Sequence, residues 1–434
     1  MAYQTESLIS PEGHKETSGP RRGFSKFLIG VLLTGIILVL SGYALTTTPV
    51  LPRTLHVALG LMAVLFIWLV LTGKPLVTQG NWLPFAFAAI LIGTALLSAL
   101  LQANASLAGT LQVPVLILCG YLLTQAVPFD VFVNWFCGAM AVFSLVAVVA
   151  WLLFIVLAFP LVGGDVTNYN GAVYNNGLVY FLFVGWDGTP IDRSMGPFWE
   201  PGLFASFIVF ALFSEISFRT GPVRKWIFVS LVLGIIVAQS TAGFLLVIPA
   251  LALILLKRRS AITGFIAYLA SLLALIAYSQ LESIIRGLIA IDPELFGKLE
   301  QEALQSSTRM NVFDLNLDIF SESPLIGWGF EGANQEVWSR MATTGVAAQT
   351  STSTYFLAAV GVVGLLYTFG WFAVLLDTNI SVSERVTILI CILVIINKEP
   401  HSAILVTFVY LFYFLSRMST PAKLPYTVGQ AATI

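Results

Sequence analysis

The sequence predicts an all-α polytopic integral membrane protein: about twelve transmembrane helices, two long loops on one side of the bilayer, and a small helical lid formed by the second loop. Three observations carry that prediction. Of 434 residues, 58% are hydrophobic and 10% charged, with a mean hydropathy of +0.90, so the apolar surface can only be satisfied by lipid. Apolar runs of spanning length recur along the chain, separated by short turns rich in Pro, Gly and Asn. Lys and Arg collect in alternate turns, as the positive-inside rule requires of a multi-span protein.

Residues 1–26 are a polar tail ending in Arg21, Arg22 and Lys26. The run Phe27 to Thr46 is too long for the apolar core of a signal peptide, and further spans follow it, so it reads as a retained anchor. Runs at about 55–72, 82–101, 107–126 and 131–158 complete a first membrane segment, 27–158. A long loop, 159–200, precedes runs at about 201–218, 225–239, 242–256 and 260–278, which make a second membrane segment, 201–278. A second long loop, 279–352, leads to runs at about 354–376, 385–397 and 401–416 within a third segment, 353–416, and a tail at 417–434. The short runs 225–239, 242–256 and 385–397 are expected to be tilted, broken or partly re-entrant. This count puts Arg21, Arg22, Lys26, Lys74, Arg219, Arg224, Lys225, Lys257, Arg258, Arg259 and Arg417 on one side of the bilayer. Both termini are then cytoplasmic and both long loops face the periplasm.

Composition also removes function classes. A net charge of −1 and the lack of a basic run on a polar face set nucleic-acid binding aside. Cys119, Cys137 and Cys391 all lie inside apolar runs, where they read as packing residues and not as a disulfide or metal framework. A coupled transporter needs ionisable residues within its spans, and the main exceptions, Glu215 and the turn Lys398 to His401, lie near span ends. A facilitated lipid or saccharide transporter remains as the less favoured alternative.

Chemistry concentrates in the two loops. The first contains Asp165, Asp187 and Asp192 among Gly, Asn and Tyr, and closes with Arg193 to Gly202, RSMGPFWEPG, directly ahead of an apolar run. Glu200, pressed between Trp199 and Pro201 at the water–lipid boundary, suits a general base, while the alternative is an acid satisfying a helix N-terminus. The second loop opens with Leu281 to Ile291, patterned as an interfacial helix, and continues with a helical segment from about Pro293 to Leu304. A third helix begins after Ser307 or Thr308, with Val312, Leu315 and Ile319 on one face and Asn311, Asp314 and Asp318 on another, and ends at Ser323, Pro324, Gly327 and Gly329. Asp314 and Asp318 are four apart, but no His or third acid joins them, so a solvated face is preferred and no metal site is assigned. Arg309 and Arg193 each carry the donor fork that fits two phosphate oxygens, the alternative being a salt bridge to a loop acid. The turn Asn397, Lys398, Glu399, Pro400, His401 falls on the same side and reads as a site wall, with Lys398 a substrate contact. Tyr169, Tyr174, Trp186, Phe198, Trp199 and Trp328 are placed to stack on sugar faces or to anchor at the interface.

The patterns R-x-x-G-x-F-x-E-P-G in Arg193 to Gly202 and S-x-R…F-x-x-S-P-L-x-G-x-G in Ser307 to Gly329, followed by a span with Gly361 and Gly364, resemble the bacterial O-antigen polymerase and ligase superfamily. That resemblance implies a metal- and cofactor-independent glycosyltransferase of the inner membrane, acting on the periplasmic side. Its donor would be an oligosaccharide on undecaprenyl diphosphate, and Arg193 and Arg309 would engage the diphosphate. A chain-length regulator protein is the partner that the resemblance to polymerases implies. One departure bears on the choice within the superfamily. Ligases usually carry a histidine just before the span after the large loop, whereas Gln349 to Thr354 reads QTSTST here. The polymerase reading gains over the ligase, and the base stays open between Glu200 and His401.

Overall fold

The computed structural model describes residues 30, 34–36, 39–47, 54–73, 82–102, 106–157, 164–167, 173–177, 180–185, 193–219, 221–256, 269, 273, 312–344 and 350–419. Helical residues at 30, 34–36 and 39–40 lead into a 3-10 turn, Ala44–Thr47. Helices α1 (Thr54–Leu71), α2 (Trp82–Leu101), α3 (Leu107–Ala126) and α4 (Phe129–Trp151) follow, α4 running on as a π turn over Leu152–Val156. After the first loop come α5 (Pro201–Phe213) with a π turn at Ser214–Phe218, α6 (Lys225–Ala238) and α7 (Thr241–Leu256). Helix α8 covers 312–322, followed by α9 (Gly329–Thr344), α10 (Thr352–Val360), α11 (Leu365–Gly370), α12 (Val382–Lys398) and α13 (Leu405–Ser419).

Among the described residues, Trp82–Leu101, Leu107–Ala126, Phe129–Phe154, Pro201–Phe218 and Thr352–Leu376 are long and apolar enough to cross a membrane. Leu55–Leu71, Lys225–Ala238, Ala242–Ile254 and Leu405–Met418 are shorter apolar helices. The protein is thus mostly helical and consistent with a polytopic membrane architecture. The expected span at 260–278 and the lid segments at 281–304 lie outside the described residues, apart from 269 and 273. Among the described residues, the span that breaks is the one expected at 354–376: 3-10 turns at Gly361–Gly364 and Trp371–Leu376 flank α11.

The expectation of an all-α chain fails in the first loop. Strands β1 (Asp165–Thr167), β2 (Val173–Asn176), β3 (Phe181–Gly185) and β4 (Arg193–Gly196) form an antiparallel meander in that spatial order. Register runs Asp165 to Asn175, Asn175 to Leu182 and Leu182 to Ser194, with bulges at Val173/Tyr174 and Phe181/Leu182. Strands of three to five residues broken by bulges are too short to show a clean period of two, which is why the pattern reads as loop. Phe181 and Met195 pack with Ala44 and Leu45 in a small separate core. The Ala44 amide donates to Pro197 O at 3.0 Å and the Trp199 amide to Gly42 O at 3.1 Å, tying the sheet and the segment after it to residues 42–44, ahead of α1.

Helices α5 and α13 form the centre. Leu203 through Phe213 are buried on every face, as are Leu405 through Leu415, the pattern of helices surrounded by protein and not by lipid. Phe210 stacks on Tyr410 with centroids 5.1 Å apart, and Phe132 meets Tyr410 edge-on at 5.3 Å. Inside a bilayer such burial takes no surface from water, so close packing and hydrogen bonds hold the helices. A Cβ at Gly120 would come 2.7 Å from Phe408 Cβ, so that glycine sets the close crossing of α3 and α13. All three cysteines are buried and unpaired with one another.

The two ends of the bundle differ chemically. At one, buried Glu215 accepts from Arg219 Nε at 2.9 Å and Arg224 Nη2 at 2.6 Å, and Arg417 pairs with Asp377 at 2.6 Å. The other end carries the sheet, α8 and α9, and the turn between α12 and α13.

Candidate active site

The sheet end is organised by the start of α5. Strand β4 carries the half-buried Arg193, runs through Gly196 at φ 54, and delivers Glu200 as the N-cap of α5, with Pro201 locking the first helical position. The half-buried Glu200 carboxylate makes no capping hydrogen bond, while its carbonyl accepts from the Phe204 amide at 3.2 Å. Next to it, a side chain at Gly202 would overlap the Glu399 carboxylate. Glycine there is what lets that carboxylate sit against the first turn of α5, where the helix dipole favours negative charge.

Glu399 follows the end of α12, and Lys398 is its last residue. Both are buried, with Lys398 6% and Glu399 2% exposed, and the ammonium lies 3.6 Å from Glu399 Oε1 while donating to Ser240 Oγ at 2.9 Å. The cation is thus at a helix C-terminus and the anion at a helix N-terminus, so each dipole offsets part of the cost of burying the pair. Ser240 also accepts from the Gly243 amide in the first turn of α7, after Gln239 turns the chain at φ 46.

A ladder of hydroxyls holds the 397–401 turn from the other side. Thr352 Oγ1 donates to Glu399 O at 3.2 Å and accepts from the His401 amide at 2.8 Å. Ser351 Oγ donates to Asn397 Oδ1 at 3.2 Å, and the same oxygen accepts from the Ser353 amide at 3.1 Å. Thr354 Oγ1 donates to Ser351 Oγ at 2.8 Å and accepts from Asn316 Nδ2 of α8 at 3.1 Å. Helix α8 is thereby joined to the turn through side chains alone.

Backbone contacts fix the same relation. In the segment SPLIGWG, Gly327 has φ 77, and Gly361 opposite has φ 63. Pro324 O accepts from the Val362 amide at 2.8 Å, and the Trp328 amide donates to Ala358 O at 2.9 Å. The two glycines let these turns interlock backbone to backbone. Trp328 Nε1 donates to Ile319 O at 3.1 Å, so its indole is committed to the elbow. On α8, Val312, Leu315 and Ile319 are buried while Asp314 and Asp318 are exposed, the arrangement expected of a solvated acidic face. Arg340 on α9 pairs with Glu322 and Glu336 at 2.9 Å, and its hydrogen bond to Glu322 pulls that carboxyl below its usual range.

His401 is in the connecting turn, because α13 starts only at Leu405. Its ring is fully buried between Phe207 and Phe210, and Nδ1 lies 2.9 Å from Thr407 Oγ1. Burial pushes the imidazole down to about 4, opposed in part by the Glu399 charge, so it is neutral at pH 7. Trp199 is half-buried against the central core, close to Gly42. Arg309 and Tyr169 lie outside the described residues. The structure therefore brings Lys398 and the start of α5 next to Glu200 into one cluster, with His401 behind it.

Sequence reasoning missed Ser240, Asn316 and the 350–354 hydroxyls as members of this cluster. Asn316 had a visible signal: it falls four residues after Val312, on the apolar face of α8. Among the described residues, no group of three or more His, Cys, Asp or Glu side chains could hold a metal ion.

Residues 226–376, from α6 through the broken span, match the family model described as O-antigen ligase. No curated protein matches the chain.

Proposed function

We propose, from the match of residues 226–376 to the O-antigen ligase family model, that the chain is a glycosyltransferase of the O-antigen polymerase and ligase superfamily and that it polymerises oligosaccharide repeat units carried on undecaprenyl diphosphate. The reaction takes place on the periplasmic face of the inner membrane, with the arginine end of the bundle in the cytoplasm.

The observation that supports this reading most directly is the buried Lys398, Glu399 and Ser240 cluster beside Glu200, at the end of the bundle opposite Arg219, Arg224 and Arg417. Arg193, Arg309 and Lys398 supply positive charge for the donor diphosphate. Glu200 takes the proton of the acceptor hydroxyl. The acceptor oxygen attacks the anomeric carbon with inversion as the bond to the diphosphate oxygen breaks, and the guanidinium groups stabilise the charge that develops on the leaving diphosphate. His401, neutral and buried among phenylalanines, serves in this scheme to hold the turn. Tyr169 and Trp199 offer aromatic surface to the sugars.

The family model's own description favours a second reading, transfer of the finished polysaccharide to lipid A core. Hydroxyl residues at 350–354, where ligases carry a histidine, favour polymerisation. The test is a gel of products from purified protein in liposomes given lipid-linked repeat units with and without lipid A core. A ladder from repeat units alone supports the polymerase. A product that needs lipid A core makes the protein a ligase. Arg309→Ala should abolish transfer with the protein still in the membrane, and full retained activity removes Arg309 from the diphosphate site.

A further inference from the structure

Five hydroxyl residues stand in a row at 350–354, and the structure uses only three of them. Ser351, Thr352 and Thr354 hold Asn397, Glu399, His401 and Asn316. Among the described residues, Thr350 Oγ1 and Ser353 Oγ are buried with no hydrogen-bond partner, and Thr350 is only 8% exposed. Buried hydroxyls are as a rule paired, and each can donate once and accept twice. Two unmatched ones, three residues apart in a segment otherwise fully engaged, leave unfilled hydrogen-bonding capacity beside the cluster. The Ser353 backbone is pinned through its amide to Asn397, so the position of its Cβ is fixed relative to that turn.

We propose that Thr350 and Ser353 form a saccharide subsite, in which sugar hydroxyls supply the partners these two side chains lack. The proposal rests on the glycosyltransferase reading above and names the group that recognises its acceptor. A sugar hydroxyl both donates and accepts, which matches a hydroxyl pair. A diphosphate only accepts, and its match is the ammonium and guanidinium groups. Asn316 and Asn397, bonded to the same ladder, hold this pair in fixed relation to α8 and to Lys398.

The test uses Thr350→Val and Ser353→Ala, singly and together, in the full-length protein in detergent. The probe is the lipid-free saccharide released by mild acid from the host cell's undecaprenyl-linked repeat units, titrated by tryptophan fluorescence, with inorganic pyrophosphate as the second titrant. Saccharide affinity should fall roughly tenfold for each hydroxyl removed, with pyrophosphate binding unchanged. Melting temperature should stay the same or rise, because neither hydroxyl bonds to protein. Thr352→Val, which cuts bonds to Glu399 and His401, should lower it. The proposal is overturned by unchanged saccharide affinity in the double variant, by no saccharide binding in the wild type, by loss of pyrophosphate binding instead, or by a double variant that melts as low as Thr352→Val. If wild type binds saccharide yet builds no polymer from lipid-linked units, the subsite stands and the polymerase reading falls.

Discussion

Replacing Gly327 by alanine should unlock the elbow that seats α8 against the turn between α12 and α13. At φ 77 any side chain is strained, and the left-handed conformation costs about 1–2 kcal/mol for a residue with a Cβ. The added carbon would also lie 2.5 Å from Ala359 C and O and from Gly361 N, all backbone atoms that cannot rotate aside. Restoring ordinary contact requires the two turns to part by about 1 Å. That separation breaks or stretches the Trp328 to Ala358 and Val362 to Pro324 hydrogen bonds, at about 1 kcal/mol each. The sum is about 3–4 kcal/mol. Gly93→Ala is the control, because nothing lies within 4 Å of its added carbon, and in a helix interior the change should stabilise by about 0.5–1 kcal/mol. Thermal unfolding of both purified variants, followed by tryptophan fluorescence, separates the cases. If Gly327→Ala melts with Gly93→Ala and keeps wild-type transfer activity, the interlocked elbow is not what positions α8.

The buried pair at Lys398 and Glu399 gives a second prediction. Lys398→Met or Glu399→Gln alone strands the other partner and should cost about 3–5 kcal/mol, whereas the double variant should recover most of the loss. Additive losses in a double-mutant cycle would show that the two charges do not depend on each other. His401 gives a pH prediction with a definite sign. Its pKa falls from 6.5 in the unfolded chain to about 4 in the fold, so the unfolded state binds the extra proton between those values. The stability that neutral His401 contributes is present above pH 6.5 and is lost as pH falls toward 4, by about 3 kcal/mol in all. His401→Gln should flatten that part of the stability curve, measured as unfolding midpoint against pH. An unchanged slope would mean that the imidazole is not buried as a neutral group.

How much of this was legible in the sequence depended on the scale of the signal. Helix positions follow from apolar runs averaged over many residues, and α2, α3 and α5 fall where hydropathy placed them. The sheet was hidden because β1 through β4 are short and bulged, so no window holds enough alternation to stand out from a Gly- and Asn-rich loop. At the candidate site, a charged turn and an odd polar residue were visible, but their partners were not. Ser240 lies 158 residues from Lys398, and Asn316 lies 38 from Thr354. Pairings at such separations are set by which helix ends the packing of α5, α7, α10 and α12 brings together. The glycines of the two turns gave a clearer signal than the acids did. A residue forced to be glycine implies a close backbone approach even before its neighbour is known: a Cβ at Gly327 would meet the backbone of Ala359 and Gly361, and one at Gly361 the backbone of Leu325 and Ile326. An acid such as Glu399 implies only that some partner or helix end must offset its charge. The charged turn that reads as a wall of the site is, in the structure, also one of its supports: its carbonyl and amide are tied to Thr352 while its carboxylate reaches Gly202. The candidate site and the scaffold share the same five residues, so a substitution there has to be read for stability before it is read for catalysis.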